Sequence, residues 1–371
     1  MTTIALIIGT VPEAVKLGPV CQELTRHSGD LRISVILSGQ HRDRVAGILQ
    51  LFGVRPTCTL ENDITRDALP EMTASLVTVL ADVIRSERPK LVVVQGDTAT
   101  AFAAAVSAFY QNVPVVHVEA GLTTGNIAHP FPEEFHRDAI SKIATLLFAP
   151  SQRAAEYARN LARPGAEVFM TGNPCIDALI VNLNGQSFPN CLTESGSCRK
   201  TIVITVHRRE NHGDRGEQIG RAIAKLASER ADAHLVYVAH NHPGLLSLTE
   251  LLRRSNQVTV LPPQDYRNWL GLLRACHFAL SDSGGVQEEG AWLGKPVLVL
   301  RDETERQEIV EAGAAKLVGS DPERIYDSAA ELLDDNRVYR QMQLSWSQYP
   351  YGRGNASPKI KQHLLNWLAR K

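Results

Sequence analysis

The clearest chemical signal in the chain is Ser281-Asp282-Ser283-Gly284-Gly285-Val286-Gln287-Glu288-Glu289. An apolar run ends in Ser-Gly-Gly and a helical pattern starts at once. Ser283, Gly284 and Gly285 would then place bare backbone N–H groups at a helix N-terminus, which attracts an anion such as a diphosphate. Glu289, one turn on, is placed to reach a ribose hydroxyl. The other reading is a tight strand-to-helix turn with Ser283 as N-cap; the residues leave both open. Arg301 and Arg306 follow the next apolar run. They either add charge beside the phosphates or are solvated surface arginines.

Acidic residues follow the apolar runs of the first half: Asp97 in Gln95-Gly96-Asp97-Thr98, Glu119 in His117-Val118-Glu119-Ala120-Gly121, and Glu133-Glu134 opening a helix that carries Arg137. Each has a structural reading. Asp97 can cap the helix that begins near Thr98, and Glu133 can complement a helix dipole. Three carboxylates on one sheet edge point instead to acid/base work, since uncompensated like charges are costly. The turn Gly9-Thr10-Val11-Pro12-Glu13 is not G-x-G-x-x-G, so no dinucleotide cofactor is expected. Lys16 beyond it is either charge on the catalytic side or an ordinary helix-face lysine. In the second half, His207-Arg208-Arg209-Glu210-Asn211 joins a group that titrates near neutrality to phosphate-binding arginines. His240 and His242 lack an evident third ligand, so no metal is expected.

The elements that would position these residues are short apolar runs alternating with helical patterns: Ile4–Ile8, Ile33–Leu37, Leu91–Gln95, Pro114–Val118, Leu146–Ala149 and Val168–Met170, then Thr201–Val206, His234–Val238, Val258–Leu261, His277–Ser281 and Pro296–Leu300. Runs apolar throughout suit parallel strands covered on both faces, so the fold class is α/β with two Rossmann-like doubly wound domains and a cleft between them. Ligands of such sheets bind beyond the carboxyl ends of the strands, where the residues above fall. The expected division is 1–172 and 173–354, with a closing amphipathic helix in 355–371.

At 371 residues the length suits two such domains. Lys plus Arg number 39 against 40 Asp plus Glu, which gives no basic excess for nucleic acid. No run approaches the ~20 apolar residues that cross a bilayer, and the first residues read as a strand rather than a signal sequence. Six scattered cysteines point to reduced, mostly buried thiols in a cytoplasmic protein, although Cys191 and Cys198 flank a polar loop and could pair.

Together, Gly96-Asp97-Thr98, His117–Gly121, Pro132-Glu133-Glu134, His207–Asn211, Asp282–Glu289, Gly294–Val299 and Arg301–Arg306 resemble the non-hydrolysing UDP-N-acetylglucosamine 2-epimerase family along nearly the whole chain. The resemblance implies a GT-B type fold, a closing helix that crosses back to the N-terminal domain, UDP on the C-terminal domain and a homodimer. It implies interconversion of UDP-GlcNAc and UDP-ManNAc through a 2-acetamidoglucal, with no cofactor. Asp97, Glu119 and Glu133 take the acid/base roles and His207 assists proton transfer or UDP departure. Lys16, Arg137, Arg208, Ser283, Gly284, Gly285, Glu289 and Arg306 bind substrate. Many members are activated by a second UDP-GlcNAc, and Gln40, Glu134, Arg208 and His240 match that region.

The chain departs from the family pattern at Val11 and Thr123, where the family has arginines, and at Asp43 and Ser75 in the activator region. Each lost arginine removes a charge and a bidentate donor, so altered activation or a different sugar is expected. A hydrolysing epimerase, a GT-B glycosyltransferase and a nucleotide-sugar sensor are the alternatives.

Overall fold

The computed structural model describes residues 1–26, 29–61, 69–183 and 199–370. Cys191 and Cys198, with most of the polar loop around them, lie outside the described residues. Two compact units form the chain, Met1–Val181 with Pro350–Lys371, and Asn182–Tyr349.

The first unit is built on a parallel sheet of β1 (Thr2–Ile8), β2 (Leu31–Leu37), β3 (Cys58–Thr59), β4 (Leu91–Gln95), β5 (Val115–Val118), β6 (Leu146–Ala149) and β7 (Glu167–Met170), in the order β3-β2-β1-β4-β5-β6-β7. β1 pairs on both sides, Ile4 lying opposite Ile33 on β2 and Leu91 on β4. Strand order reverses direction at this point. Ala5, Ile7, Val92 and Val94 pack on one face with the helices Leu69–Glu87 and Ala99–Tyr110. Leu6, Ile8 and Val93 project to the other face and are equally buried, which is why the strands read as unbroken apolar runs.

The second unit repeats the plan with β8 (Lys200–Thr205), β9 (Ala233–Val238), β10 (Val258–Leu261), β11 (Phe278–Ser281), β12 (Val297–Val299) and β13 (Ala315–Leu317), ordered β10-β9-β8-β11-β12-β13. The reversal here lies between β8 and β11. The sequence reading did not find β3 or β13, whose two and three residues carry no periodicity.

The closing helix Ala356–Ala369 packs on the first unit, so the chain does cross back. Asp177 accepts from the N–H groups of Ala356 and Ser357 (3.1 and 2.8 Å) and caps it. The His363 ring stacks on Phe169 at 3.8 Å, and Lys361 pairs with Glu23 at 2.8 Å. Among the described residues no helix is long and apolar enough to cross a membrane.

Candidate active site

In the first unit Asp97 and Glu119 leave the carboxyl ends of β4 and β5, and Gly9 leaves β1 next to them, at the reversal of strand order. Gly9 is required by space: a Cβ there would stand 2.2 Å from Thr100 Oγ1. His117, fully buried on β5, bonds Gly96 O through Nε2 (2.8 Å) and Ser141 Oγ through Nδ1 (3.0 Å). A carbonyl only accepts, so Nε2 carries the proton. Burial pushes this imidazole down to about 4, and it stays neutral as a brace for the Gly96-Asp97 turn.

Glu119 sits in the left-handed region (φ 65°) with 2 % exposure. That conformation is unfavourable for a residue with a Cβ and is held here by tertiary bonds. Lys16 Nζ lies 2.5 Å from Glu119 Oε2 and Asn173 Nδ2 donates to the same oxygen at 2.8 Å. Arg137 donates through Nη1 to the Glu119 carbonyl (2.7 Å) and through Nη2 to the Asp97 carboxylate. Nη1 also lies 3.7 Å from Glu119 Oε1, so one buried guanidinium spans both acids, and His136 Nδ1 meets the Asp97 carbonyl at 3.0 Å.

This corrects the like-charge argument. Asp97 and Glu119 are gathered, but Lys16 and Arg137 compensate them. Nor does Asp97 cap the following helix: Thr98 does, its Oγ1 accepting from Ala101 N at 3.0 Å. Lys16 is no surface lysine, being 7 % exposed. Glu133 is the first residue of Glu133–Ile143, one turn ahead of Arg137. Glu134 Oε1 accepts from Thr123 Oγ1 and from the N–H groups of Thr124 (3.0 Å) and Gly125 (3.2 Å). Gln40 Oε1 accepts from Thr100 Oγ1 at 3.2 Å.

In the second unit the Ser283-Gly284-Gly285 turn follows β11 beside His207, which follows β8, again at the reversal of strand order. Ser283 is the N-cap residue of Gly284–Trp292 but its side chain makes no cap bond, so the capping reading of the serine does not hold and the first-turn N–H groups are left without a side-chain cap. A Cβ on Gly284 would meet Arg306 Cζ at 2.8 Å, whereas around Gly285 only Ser283 Oγ (3.8 Å) comes near among the described residues.

Arg301 and Arg306 are buried rather than solvated. Arg306 pairs with Glu288 (2.8 Å) and Glu305 (2.5 Å), and Arg301 with Glu210 and Glu305 (both 2.8 Å). Burial alone would raise Glu305, but Arg301, Arg306 and Arg208 hold it well below the usual carboxylate range. Arg208 bonds Glu305 through Nη2 at 3.3 Å, and its buried Nε has no partner among the described residues. Glu289 accepts from Tyr266 Oη (2.9 Å) and Trp269 Nε1 (3.1 Å), which fix its carboxylate.

His207 Nδ1 lies 3.1 Å from Asp282 Oδ1. Asp282 is fully buried and also accepts from the N–H groups of His207 and Arg208 and from Asn211 Nδ2, at 2.9–3.1 Å. Burial opposes its ionisation, yet His207 and these donors hold it well below the ordinary carboxylate range. His207 is thereby fixed with Nε2 turned from its carboxylate partner. The His240 ring lies 5.9 Å from that of His207. His242 instead accepts from Gly244 N at 3.1 Å, and its ring lies tilted against that of His212 with centroids 4.1 Å apart. The sequence reading named neither Asp282 nor Asn173 as a site residue. Asp282 was legible as an acid at a strand end; Asn173 carried no signal.

The family model of UDP-N-acetylglucosamine 2-epimerase matches residues 22–365. The chain belongs to that family. It is 40% identical to the UDP-N-acetylglucosamine 2-epimerase of Bacillus subtilis (97% of this chain, 94% of the relative) and 39% identical to that of Neisseria meningitidis (97% and 98%). Its fold matches the Neisseria meningitidis enzyme solved with UDP-GlcNAc at TM-score 0.92 and 38% identity, covering 99% of this chain and 100% of that one. It matches S. aureus MnaA solved with UDP at 0.93 and 37% identity, covering 100% and 97%. Family members thus carry UDP and UDP-GlcNAc on this fold.

Proposed function

We propose that the protein is a non-hydrolysing 2-epimerase that interconverts UDP-GlcNAc and UDP-ManNAc. A base takes the C2 proton as the C1–O bond breaks, the electron pair forms the C1=C2 bond of 2-acetamidoglucal, and UDP leaves. A proton then reaches C2 on the opposite face while a β-phosphate oxygen adds back to C1. Neither step changes the redox state, and the chain's own side chains can perform both.

The observation that carries this reading is the pair Asp97 and Glu119 held at one strand reversal by a shared arginine, Arg137. Two faces of one carbon call for two proton carriers. Arg137 and Lys16 orient the acids, and carboxylates favour the oxocarbenium character that develops at C1. Glu133 is the third acid of the proposal. The uncapped Ser283-Gly284-Gly285 turn and Arg208 take the diphosphate, Arg306 shapes the turn from beneath, and Glu289 takes the ribose. His207, braced by Asp282, donates toward the departing UDP. The test is incubation with UDP-GlcNAc in heavy water, where deuterium at C2 with UDP-ManNAc formed is expected. Free sugar would mean hydrolysis, and no exchange with any UDP-sugar would overturn the reading.

Thr123 and Val11 favour one further element, altered activation by UDP-GlcNAc. Glu134 is engaged by its own Thr123–Gly125 loop, and the charge an arginine would bring at 11 and 123 is missing. Non-cooperative saturation by UDP-GlcNAc is expected; ordinary cooperative activation would refute it. The reading also includes a cytoplasmic homodimer, checked by fractionation and sedimentation.

A further inference from the structure

A cavity of about 1220 Å³ opens in the first unit at the amino ends of β1, β4, β5, β6 and β7, the opposite sheet edge from Asp97 and Glu119. Its lining reaches from Thr2 through Lys90, Pro114 and Thr145 to Glu167, with the end of the closing helix as a further wall. The reaction proposed above uses none of it.

The charge on this lining is one-sided. Arg370 is matched by Glu167 at 2.8 Å, and Arg85 by Asp82 at 2.7 Å. Arg88, Lys90 and Arg163 also line it, and among the described residues no carboxylate pairs with any of them. Arg163 donates to Ala144 O (3.3 Å) and Thr145 Oγ1 (2.8 Å), neutral acceptors that orient the guanidinium without cancelling its charge. Three uncompensated cations thus share one cavity in a chain whose net charge is −1.

Basic residues near helix C-termini are ordinary, because carbonyl ends carry partial negative charge. That accounts for Arg85, in the last turn of Leu69–Glu87, and for one bond of Arg163. Arg88 stands just past that same helix with φ 47°, a left-handed conformation that glycine would adopt at less cost. Its backbone is thus unfavourable for an arginine, and its side chain borders the cavity. Trp367, 8 % exposed, and Leu368 supply an apolar wall.

We propose that this cavity is a second ligand site, which binds a phosphate-bearing small molecule through Arg88, Lys90 and Arg163. Guanidinium groups match phosphate oxygens with charge-assisted, bidentate bonds, and the ammonium adds a point charge.

The test is calorimetric titration of the full chain with inorganic pyrophosphate, compared with the variant Arg88→Glu/Lys90→Glu. Both residues are exposed, so the fold should survive, as unchanged basal epimerisation and melting temperature would verify. The wild-type chain is expected to bind one pyrophosphate more than the variant, or to bind it about tenfold or more tightly at that site. Because the comparison counts the difference, it does not depend on whether the Gly284 turn binds diphosphate. Repeating the titration with ADP separates the sources: tighter ADP binding with quenching of Trp367 assigns a nucleotide, and equal affinity assigns free phosphates. Equal stoichiometry and affinity in both proteins would overturn the site, and so would binding of a long polyanion only.

Discussion

Replacing Asp282 with Asn tests the least obvious part of the site. In the wild type Oδ2 accepts from His207 N, Arg208 N and Asn211 Nδ2 at 2.9–3.0 Å, while Oδ1 faces His207 Nδ1 at 3.1 Å. An amide with its oxygen at the Oδ2 position keeps the three-donor turn. Its NH2 then points at Nδ1 and demands an acceptor there, which moves the imidazole proton to Nε2. The wild-type carboxylate thus fixes the tautomer and orientation of the ring. Losing it should lower kcat about 10- to 1000-fold, with UDP affinity changed less than about threefold. The assay is epimerisation followed by NMR, with UDP binding measured by calorimetry, repeated in a His207→Asn background. There the second substitution should cost almost nothing, because the residue it positions is gone. Undiminished kcat, or an equal loss in both backgrounds, would falsify the positioning role. Asp282 titrates below its unfolded value, so the stability it contributes is present above about pH 4 and lost as pH falls further; the variant should show a flatter acid limb.

Three other outcomes are expected. Glu119→Gln keeps the shape but not the base, and deuterium incorporation at C2 should fall about 100- to 10,000-fold while UDP binding persists; NMR decides it. Gly284→Ala drives a Cβ into Arg306 Cζ at 2.8 Å and narrows the turn; the Kd for UDP should rise about tenfold, and an unchanged Kd would remove the diphosphate from that turn. Burial raises Glu13 to about 7 although Thr10 and Gly9 donate to it. The folded state then holds a proton that the unfolded chain has lost, so stability should decline from about pH 4.5 to 7 by about 3 kcal/mol. In Glu13→Gln, which still accepts from Thr10, melting temperature should lose that slope.

Much of the molecule could be read from its sequence for a simple reason. Strands such as Ile4–Ile8 and Leu91–Gln95 are covered on both faces, so their composition alone announces a parallel sheet, and in parallel sheets chemistry falls at the carboxyl ends. That rule located Asp97, Glu119, His207 and Ser283–Gly285 before any coordinates. The motifs around them were dense enough to indicate the family. Short elements escaped: β3 and β13 exist because neighbouring strands offer them hydrogen bonds, not because their residues repeat.

What the sequence could not state was the partner of each charge. Arg301 and Arg306 looked like candidates for solvent, yet they are buried against Glu210, Glu288 and Glu305. Asp97 and Glu119, 22 positions apart, meet one guanidinium because β4 and β5 are adjacent and the helix carrying Arg137 packs across their ends. Lys16, on the helix that follows β1, and Asn173, in the turn that follows β7, reach Glu119 in the same way. Sequence determined which groups stand at the strand ends, because that follows from local pattern. Tertiary structure alone decided which charges are compensated, because electrostatic energy depends on distance and burial, and neither is written in the spacing along the chain.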